Sequence, residues 1–354
     1  MYKKLALLLL SIGLIAGILY LVGFDKTASV LMRLSLGYFL LLLLIQLATM
    51  ILSALKWRLI LRHNKVSFTN LLASTFVGYL INNINPMGMA GGEPVKAFIL
   101  SKKEKMPTEK AFASVVVDLF LEIFPIFILS AIAIFLVLSS GVPVEIAFVI
   151  AAASLALLVL FALSVTLVIN REYSLRMIGA FTGLVARIPL LKRRVAKIRS
   201  EMDEIYGRFN DAMKRHMLDN YILVLGTFIS MSCWFLRILR VYVAFKAVGV
   251  DIPIPVLVIV EAVAIVVTFF PILPGAIGVW EGTSIALFVI LAPGVSAAEA
   301  TTVALIDRVI FYIFPSILGI FAALFLGIDI FKLAKEEVSN DKVDLEKVSK
   351  VIGS

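Results

Sequence analysis

The chain has 354 residues, of which 61% are hydrophobic, and its mean hydropathy is +1.05. Because soluble domains are only about 45 to 50% apolar, this composition excludes a soluble protein and indicates an integral membrane protein. The net charge of +9 needs no nucleic-acid partner, since basic cytoplasmic loops account for it. One cysteine and two histidines give no basis for a metal or haem cofactor, so none is expected.

Apolar stretches of about 20 residues, long enough to cross a hydrocarbon core of roughly 30 Å, recur along the chain. The first of them follows Lys3 and Lys4 and is interpreted as a retained membrane anchor. The sequence therefore predicts an all-α, polytopic fold with about six full transmembrane helices. They lie at about 5–23, 34–55, 111–138, 144–169, 219–247 and 299–327.

Two further apolar regions, at about 68–101 and 254–292, are interrupted by Pro, Gly and Asn, so each is predicted to form two half-helices. The interrupting residues are Asn85, Pro86, Gly91 and Gly92 in the first region and Pro274, Gly275 and Gly278 in the second. The second half-helix of each pair is expected to begin near Glu93 and near Gly278, respectively. Pro94 suits such a start because proline is tolerated in the first turn of a helix.

The distribution of basic residues predicts the orientation. Lys and Arg in short loops favour the cytoplasmic side, and most of the 33 Lys and Arg residues fall there when both termini are cytoplasmic. In this arrangement the first broken region starts and ends inside, whereas the second starts and ends outside. We therefore expect two oppositely oriented re-entrant hairpins in a multi-pass protein of the plasma (cytoplasmic) membrane. Irregular backbone at membrane depth requires surrounding protein or a wet cavity.

The two broken regions also occupy matching positions in an internal sequence repeat. Pro86 and Glu93 align with Pro274 and Glu281 at one offset, and Asp118 with Asp307 nearly keeps it; chance similarity in an apolar chain is the alternative. The predicted first repeat, residues 1–140, contains two helices, a re-entrant pair and a third helix. The inverted second repeat occupies 141–328, with a cytoplasmic amphipathic helix at about 170–218, and a cytoplasmic tail covers 329–354. Many secondary transporters are built from inverted repeats.

The segments Gly92–Lys96 and Leu273–Gly282, followed by Asp307 and Arg308, resemble the flippase-like transmembrane domain of lysylphosphatidylglycerol synthase, the multiple peptide resistance factor, and its stand-alone relatives. The resemblance covers about residues 5–328 and implies a lipid flippase without lysyl transfer. Members commonly carry Arg at the positions of Lys96 and Trp280, so the resemblance leaves the substrate open.

Charged residues inside predicted membrane segments cost roughly 3 kcal/mol each at the bilayer centre, so they are expected to face each other or water. Asp118 and Glu122, and likewise Arg237 and Arg240, are spaced to share a helix face. Two structural alternatives stay open: ion pairs, including Glu261, that only lock the bundle, and capping of the half-helices by Glu93 and Glu281. The predicted substrate-binding residues are Glu93, Lys96, Asp118, Glu122, Arg237, Arg240, Trp280, Glu281, Asp307 and Arg308.

The resulting hypothesis is a flippase that translocates an anionic or phosphate-linked lipid through a midplane polar cavity, with Arg237, Arg240 and Arg308 binding phosphate. The alternative is a small-solute or ion-coupled secondary transporter of the same architecture. An enzyme is not expected, because the sequence offers no nucleophile with a base and no metal-ligand cluster. Membrane lipids and the anionic cytoplasmic leaflet are the expected partners, nucleic acid is not, and homo-oligomer formation stays open.

Overall fold

The structure of the protein is a computed structural model that describes residues 24–84, 89–139, 141, 144–169, 204, 207–269 and 278–328. Every regular element within these ranges is helical. The helices are α1 Phe24–Leu31, α2 Leu36–Ile60, α3 Phe68–Ile84, α4 Met89–Lys103, α5 Thr108–Ser139, α6 Val144–Ile169, α7 (residues 207–217), α8 Asn220–Ala247, α9 Ile254–Phe269, α10 Val279–Leu291, α11 Ala297–Arg308 and α12 Phe314–Phe325. A π-helical turn, Val309–Ile313, joins α11 to α12.

Of the helices in the described ranges, four are long and apolar enough to cross a membrane: Leu36–Ile60, Thr108–Ser139, Asn220–Ala247 and the continuous Ala297–Phe325. They coincide with four of the predicted crossings, which confirms an all-helical, multi-pass membrane protein. Their outer faces carry large exposed apolar side chains such as Leu44, Phe135 and Phe228. Three of the four helices start after a capping side chain, Ser35, Asp219 or Ser296, that accepts a hydrogen bond from a first-turn N–H group.

Several sequence predictions fall outside the described residues. These are the first crossing at 5–23, most of the amphipathic segment at 170–218, the tail at 329–354, and the motif residues Asn85, Pro86, Pro274 and Gly275.

Helices α3 and α4 form a hairpin whose two outer ends lie together, because the Asn70 side-chain amide donates to the Glu104 carboxylate at 2.7 Å. Near the other end of the hairpin, the Gly92 N–H donates to the Asn82 side-chain oxygen at 2.7 Å. Helix α4 begins at Met89 and not near Glu93, so the predicted start is wrong by about one turn. The Asn82 contact satisfies a backbone donor of that early turn, and Pro94 is accommodated inside the helix.

Helices α9 and α10 form a second packed pair with Pro253 and Ala292, near their outer ends, lining one pocket. Helix α10 begins at Val279 after Gly278, as predicted. Gly278 has a φ of 86°, in the left-handed region that glycine adopts without strain.

The connectors gather at two ends of the bundle. At one end, here called the basic end because Arg62 and Arg208 lie there, Arg62 bonds Asp219 at 2.6 Å and Arg208 bonds Glu109 at 2.5 Å. The α2–α3, α4–α5 and α7–α8 connections therefore lie together at this end. At the opposite end, the Thr302 hydroxyl donates to the Thr27 carbonyl at 3.2 Å. The two hairpins start from different ends, since the outer ends of α3 and α4 lie at the basic end and those of α9 and α10 at the opposite end.

Helix packing places α2 along α8, α3 against α12, and α9 against α5. Gly319 makes the contact between α3 and α12 possible, because a β-carbon there would lie 2.6 Å from the carbonyl oxygen of Phe76. Small residues at such positions let helices in lipid approach closely.

Candidate functional site

The first charged cluster consists of Lys56, Glu93, Lys96, Asp118 and Glu122, which come from α2, α4 and α5. The five side chains alternate in charge. Lys96 contacts Glu93 at 2.6 Å and Asp118 at 3.0 Å, and Lys56 contacts Asp118 at 2.9 Å and also bonds Glu122. Lys56 is 1% exposed, so its charge depends on these partners in place of water.

Neighbouring aromatic and hydroxyl groups complete the first charged cluster. The ammonium of Lys96 lies 5.1 Å from the centre of the fully buried Trp57 ring, a cation–π contact. From α8, the Ser230 hydroxyl lies 3.1 Å from Lys56, and the Trp234 indole donates to Glu122 at 3.2 Å. The charged residues of this cluster therefore come from the first half of the chain, and α8, from the second half, contributes the Ser230 and Trp234 contacts.

The second charged cluster consists of Arg237, Arg240, Glu261, Glu281, Asp307 and Arg308, from α8 to α11. At its centre Arg240 donates to Asp307 at 2.7 Å and to the side-chain oxygen of Gln46. Arg240 is 2% exposed and Asp307 is 4% exposed. This pair is sealed, and each ion is compensated by the other.

Glu281 both caps a helix and binds a cation. One of its carboxylate oxygens accepts the Gly278 N–H at 2.7 Å, and the other accepts from Arg308 at 2.5 Å. The Arg308 guanidinium lies 5.6 Å from the Trp280 ring centre and 5.1 Å from that of Tyr312. The capping alternative is therefore realised for Glu281, whereas Glu93 pairs with Lys96.

Arg237 donates to Glu261 at 2.7 Å, and its guanidinium lies over Trp234 and Phe311 at 5.0 and 5.6 Å from the ring centres. Arg240 lies over the same Phe311 ring at 4.9 Å. Phe311 and Tyr312 both belong to the π-helical turn that follows Asp307 and Arg308. Such turns are frequent at functional sites, and this one supplies the aromatic surface against which all three arginines pack.

The two clusters lie at different depths along the α2–α8 pair. These helices are antiparallel, because Lys56 meets Ser230 whereas Gln46 meets Arg240. On each helix the two contacts are separated by a rise of about 15 Å, at 1.5 Å per residue. That distance is about half the thickness of a hydrocarbon core.

Each cluster combines a sealed pair with partly accessible members. The accessible side chains are Glu122, 33% exposed, and Glu93, 18%, in the first cluster, and Arg237, 18%, and Arg308, 14%, in the second. Glu122, Arg237 and Arg308 lie within helices that are long and apolar enough to cross a membrane, and Glu93 lies on α4. Since lipid cannot solvate such groups, their accessible surface must meet water, protein or a polar ligand.

The structure brings all ten predicted site residues into these two groups, with Trp280 at the second. Sequence reasoning missed Lys56, Gln46, Ser230, Trp234 and Tyr312. The predicted crossing at 34–55 ended just before Lys56, but α2 continues to Ile60 and Lys56 is buried. The signal that could have identified Lys56 is its position directly before Trp57, near the end of a long and mainly apolar helix.

The chain is similar to known membrane proteins. Residues 6–319 match the family described as the lysylphosphatidylglycerol synthase TM region. A UPF0104 membrane protein of Methanothermobacter thermautotrophicus is 32% identical over 330 residues, which cover 90% of this chain and 93% of that protein. A UPF0104 membrane protein of Pyrococcus horikoshii is 27% identical over 90% of this chain and 95% of its own length. A third, from Methanocaldococcus jannaschii, is 25% identical over 93% and 97%, respectively.

Proposed function

The chain belongs to the family of the lysylphosphatidylglycerol synthase TM region and of the UPF0104 membrane proteins, and from this premise we propose that it is a lipid flippase. Its cargo is an anionic or phosphate-linked lipid whose headgroup passes through a polar interior while the acyl chains stay in the bilayer. The observation that carries the proposal is the presence of accessible charged groups at two depths of an apolar bundle, about 15 Å apart along α2 and α8.

A purely structural role, in which ion pairs hold the helices together, accounts for the Lys56–Asp118 and Arg240–Asp307 pairs, because all four side chains are buried. It does not explain why each cluster also holds accessible charges, since groups of this kind cost about 3 kcal/mol each when they face lipid. A polar cavity that a headgroup can enter removes this cost. The two clusters would then serve as successive binding positions on the way across the membrane.

Arg308 and Arg237 are the better candidates for phosphate contact. A guanidinium has five N–H donors arranged as a planar fork that matches phosphate oxygens, and both side chains are partly accessible, Arg237 at 18% and Arg308 at 14%. Arg240 is less suited, because it is sealed and already bonds Asp307 and Gln46. We therefore assign headgroup binding to Arg308 and Arg237, and assign Arg240 to holding the second cluster together.

The helix contacts support an inverted repeat of residues 1–140 and 141–328. The repeat relates α2 to α8, α3 to α9, and α5 to α11–α12. The contact of α3 with α12 therefore has its counterpart in the contact of α9 with α5, and both are present. The Lys56–Asp118 ion pair likewise has Arg240–Asp307 as its counterpart in the second repeat. In this arrangement α3–α4 and α9–α10 are the two re-entrant hairpins, and they enter from opposite faces of the membrane.

Orientation follows from charge. The basic end carries Arg62, Lys65, Lys102, Lys103, Lys105, Lys110, Arg208, Lys214 and Arg215. By the positive-inside rule we assign this end, and with it both termini, to the cytoplasmic side of the plasma membrane. The first charged cluster then lies in the cytoplasmic half of the membrane and the second in the outer half.

The test is lipid movement in proteoliposomes that contain headgroup-labelled phosphatidylglycerol or labelled total lipid of the source membrane. Protection of the label from a membrane-impermeant quencher reports the leaflet. We expect the wild-type protein to expose inner-leaflet label, and Arg308→Lys, which keeps the charge but loses the fork, to slow this by about 10- to 100-fold. That range corresponds to the loss of a charge-assisted hydrogen bond of about 1.5 to 3 kcal/mol.

Arg33→Gln is the matched control, because Arg33 lies at the opposite end with a side chain that is 57% exposed. Its rate should stay within twofold of wild type. If no labelled lipid moves in vesicles containing folded wild-type protein, while the same vesicles take up a water-soluble solute, the flippase proposal is wrong and the small-solute transporter takes its place.

A further inference from the structure

The charges of the first charged cluster do not balance. Three carboxylates, Glu93, Asp118 and Glu122, alternate with two ammonium groups, Lys96 and Lys56, in a single chain of ion pairs. With every group ionised the cluster has a net charge of −1. The second charged cluster, by contrast, balances three arginines with three carboxylates.

Among the residues that the structure describes, Lys56 and Lys96 are the only cations that pair with these three carboxylates. The groups that border the first cluster from α3 and α8 are Tyr79 and Cys233, which are neutral in their ordinary state at pH 7. The segments 85–88 and 271–277 contain no ionisable side chain. The N-terminal end of α4 contributes a partial positive charge of about one half at most.

An uncompensated negative charge at this depth is strongly unfavourable, and when carboxylates share one site, a shared proton is the usual way to remove it. We propose that the first charged cluster holds one exchangeable proton at neutral pH and that Glu93 carries it. This proton site does not depend on the flippase proposal, because it follows from the charges and contacts of the cluster alone.

The contacts single out Glu93 among the three carboxylates. Asp118 lies between both ammonium groups, at 2.9 and 3.0 Å, which favours its ionised form. Glu122 bonds Lys56 and also receives the Trp234 indole N–H, with the Ser230 hydroxyl at 3.4 Å. Within the described part of the chain, Glu93 has Lys96 as its one cationic partner, and it shares that partner with Asp118.

Glu93 is also placed for exchange. Its side chain is 18% exposed, which is more than Lys96 and Asp118, at 5% and 6%, and less than Glu122, at 33%. A proton can therefore enter or leave at Glu93 without the cluster being opened. When it leaves, the cluster regains its negative charge, and it then favours a cation or a cationic headgroup in its place.

Infrared spectroscopy of the purified protein tests the proposal, because a protonated carboxyl group has a C=O stretching band that shifts in D2O. At pH 7 we expect this band in the wild-type protein and its loss in Glu93→Gln. It should also be lost in Glu122→Gln, although Glu93 is intact there, because removal of one carboxylate balances the two lysines. Glu204→Gln, at a side chain that is 73% exposed, is the control and should keep the band.

Thermal unfolding gives an independent readout. Since the Gln amide resembles a protonated carboxyl group, Glu93→Gln should unfold within a few degrees of wild type at pH 7. Between pH 7 and 9.5 the wild-type Tm should fall by several degrees more than that of the variant.

Four results would overturn the proposal. Two are spectroscopic: the wild-type protein shows no Glu93-dependent band, or the band survives in Glu93→Gln but disappears in Glu122→Gln. The third is a Glu93→Gln protein that does not fold at pH 7. The fourth is a Tm that is higher in sodium than in choline buffer for the wild-type protein but not for Glu93→Gln. The last result would identify a bound sodium ion in place of the proton.

Discussion

Replacement of Lys56 by Gln is the most direct test of the charge balance on which the bundle depends. Lys56 is 1% exposed, and its ammonium contacts Asp118 at 2.9 Å, Ser230 at 3.1 Å and the Glu122 carboxylate. In Lys56→Gln one ammonium remains for three carboxylates. Because removing one partner of a buried ion pair costs about 3 to 5 kcal/mol, we expect the free energy of unfolding to fall by that amount.

The double variant Lys56→Gln/Glu122→Gln sharpens the test. It restores an excess of one carboxylate, as in the wild-type protein, so it should recover about 1 to 3 kcal/mol relative to Lys56→Gln, a coupling expected of residues in direct contact. The control is Lys65→Gln, at an exposed position of the α2–α3 connector, where we expect a change within about 0.5 kcal/mol.

The assay is unfolding in mixed micelles titrated with sodium dodecyl sulfate and followed by tryptophan fluorescence. The reasoning would be refuted if Lys56→Gln unfolded at the same detergent fraction as Lys65→Gln. It would also be refuted if the double variant were less stable than Lys56→Gln, since the loss would then not arise from unpaired carboxylates.

Two further predictions concern packing and pH. Gly92→Ala should lower Tm and separate α3 from α4, because the added β-carbon would overlap the carbonyl oxygen of Gly78. Gly37→Ala is the control and should leave Tm unchanged, since the nearest neighbour of its added β-carbon lies at 3.9 Å. Equal Tm values for the two variants would contradict the close α3–α4 contact. At the basic end, burial, with His63 and Arg215 nearby, lowers the pKa of His216 from 6.5 to about 4. The unfolded chain therefore binds a proton between pH 6.5 and 4 that the folded protein excludes, and stability falls as pH falls through this window. His216→Gln should lose a few degrees less than wild type between pH 7 and 4.5 in thermal unfolding, and parallel curves would show that His216 does not titrate this way.

The fold follows from hydropathy to a large extent. Four helices cross-match the predicted crossings because apolar length is a local property that depends on no partner. The start of α10 after Gly278 was also predictable, since glycine there allows the backbone to turn. The start of α4 was not, because the early turn before Pro94 depends on Asn82 and Gly78, which belong to another helix.

The site was predictable as a set of residues but not as a set of pairs. Spacing alone indicated that Asp118 and Glu122 share a face, and both do contact one cation. That the cation is Lys56 depends on how α2 packs between α5 and α8, and no pattern within α2 contains this information. The π-helical turn that places Phe311 is likewise invisible to an analysis that assumes a regular helical period.

The antiparallel contact of α2 with α8 limits how the two clusters can move. Sliding one helix along the other would break the Lys56–Ser230 and Gln46–Arg240 contacts together. A tilt about a point between them, near where the Cys233 thiol lies 3.9 Å from the Thr49 carbonyl oxygen, acts as a lever, and it widens one end of the helix pair while it narrows the other. In the proposed flippase, two clusters joined in this way would open to one leaflet only as they close to the other.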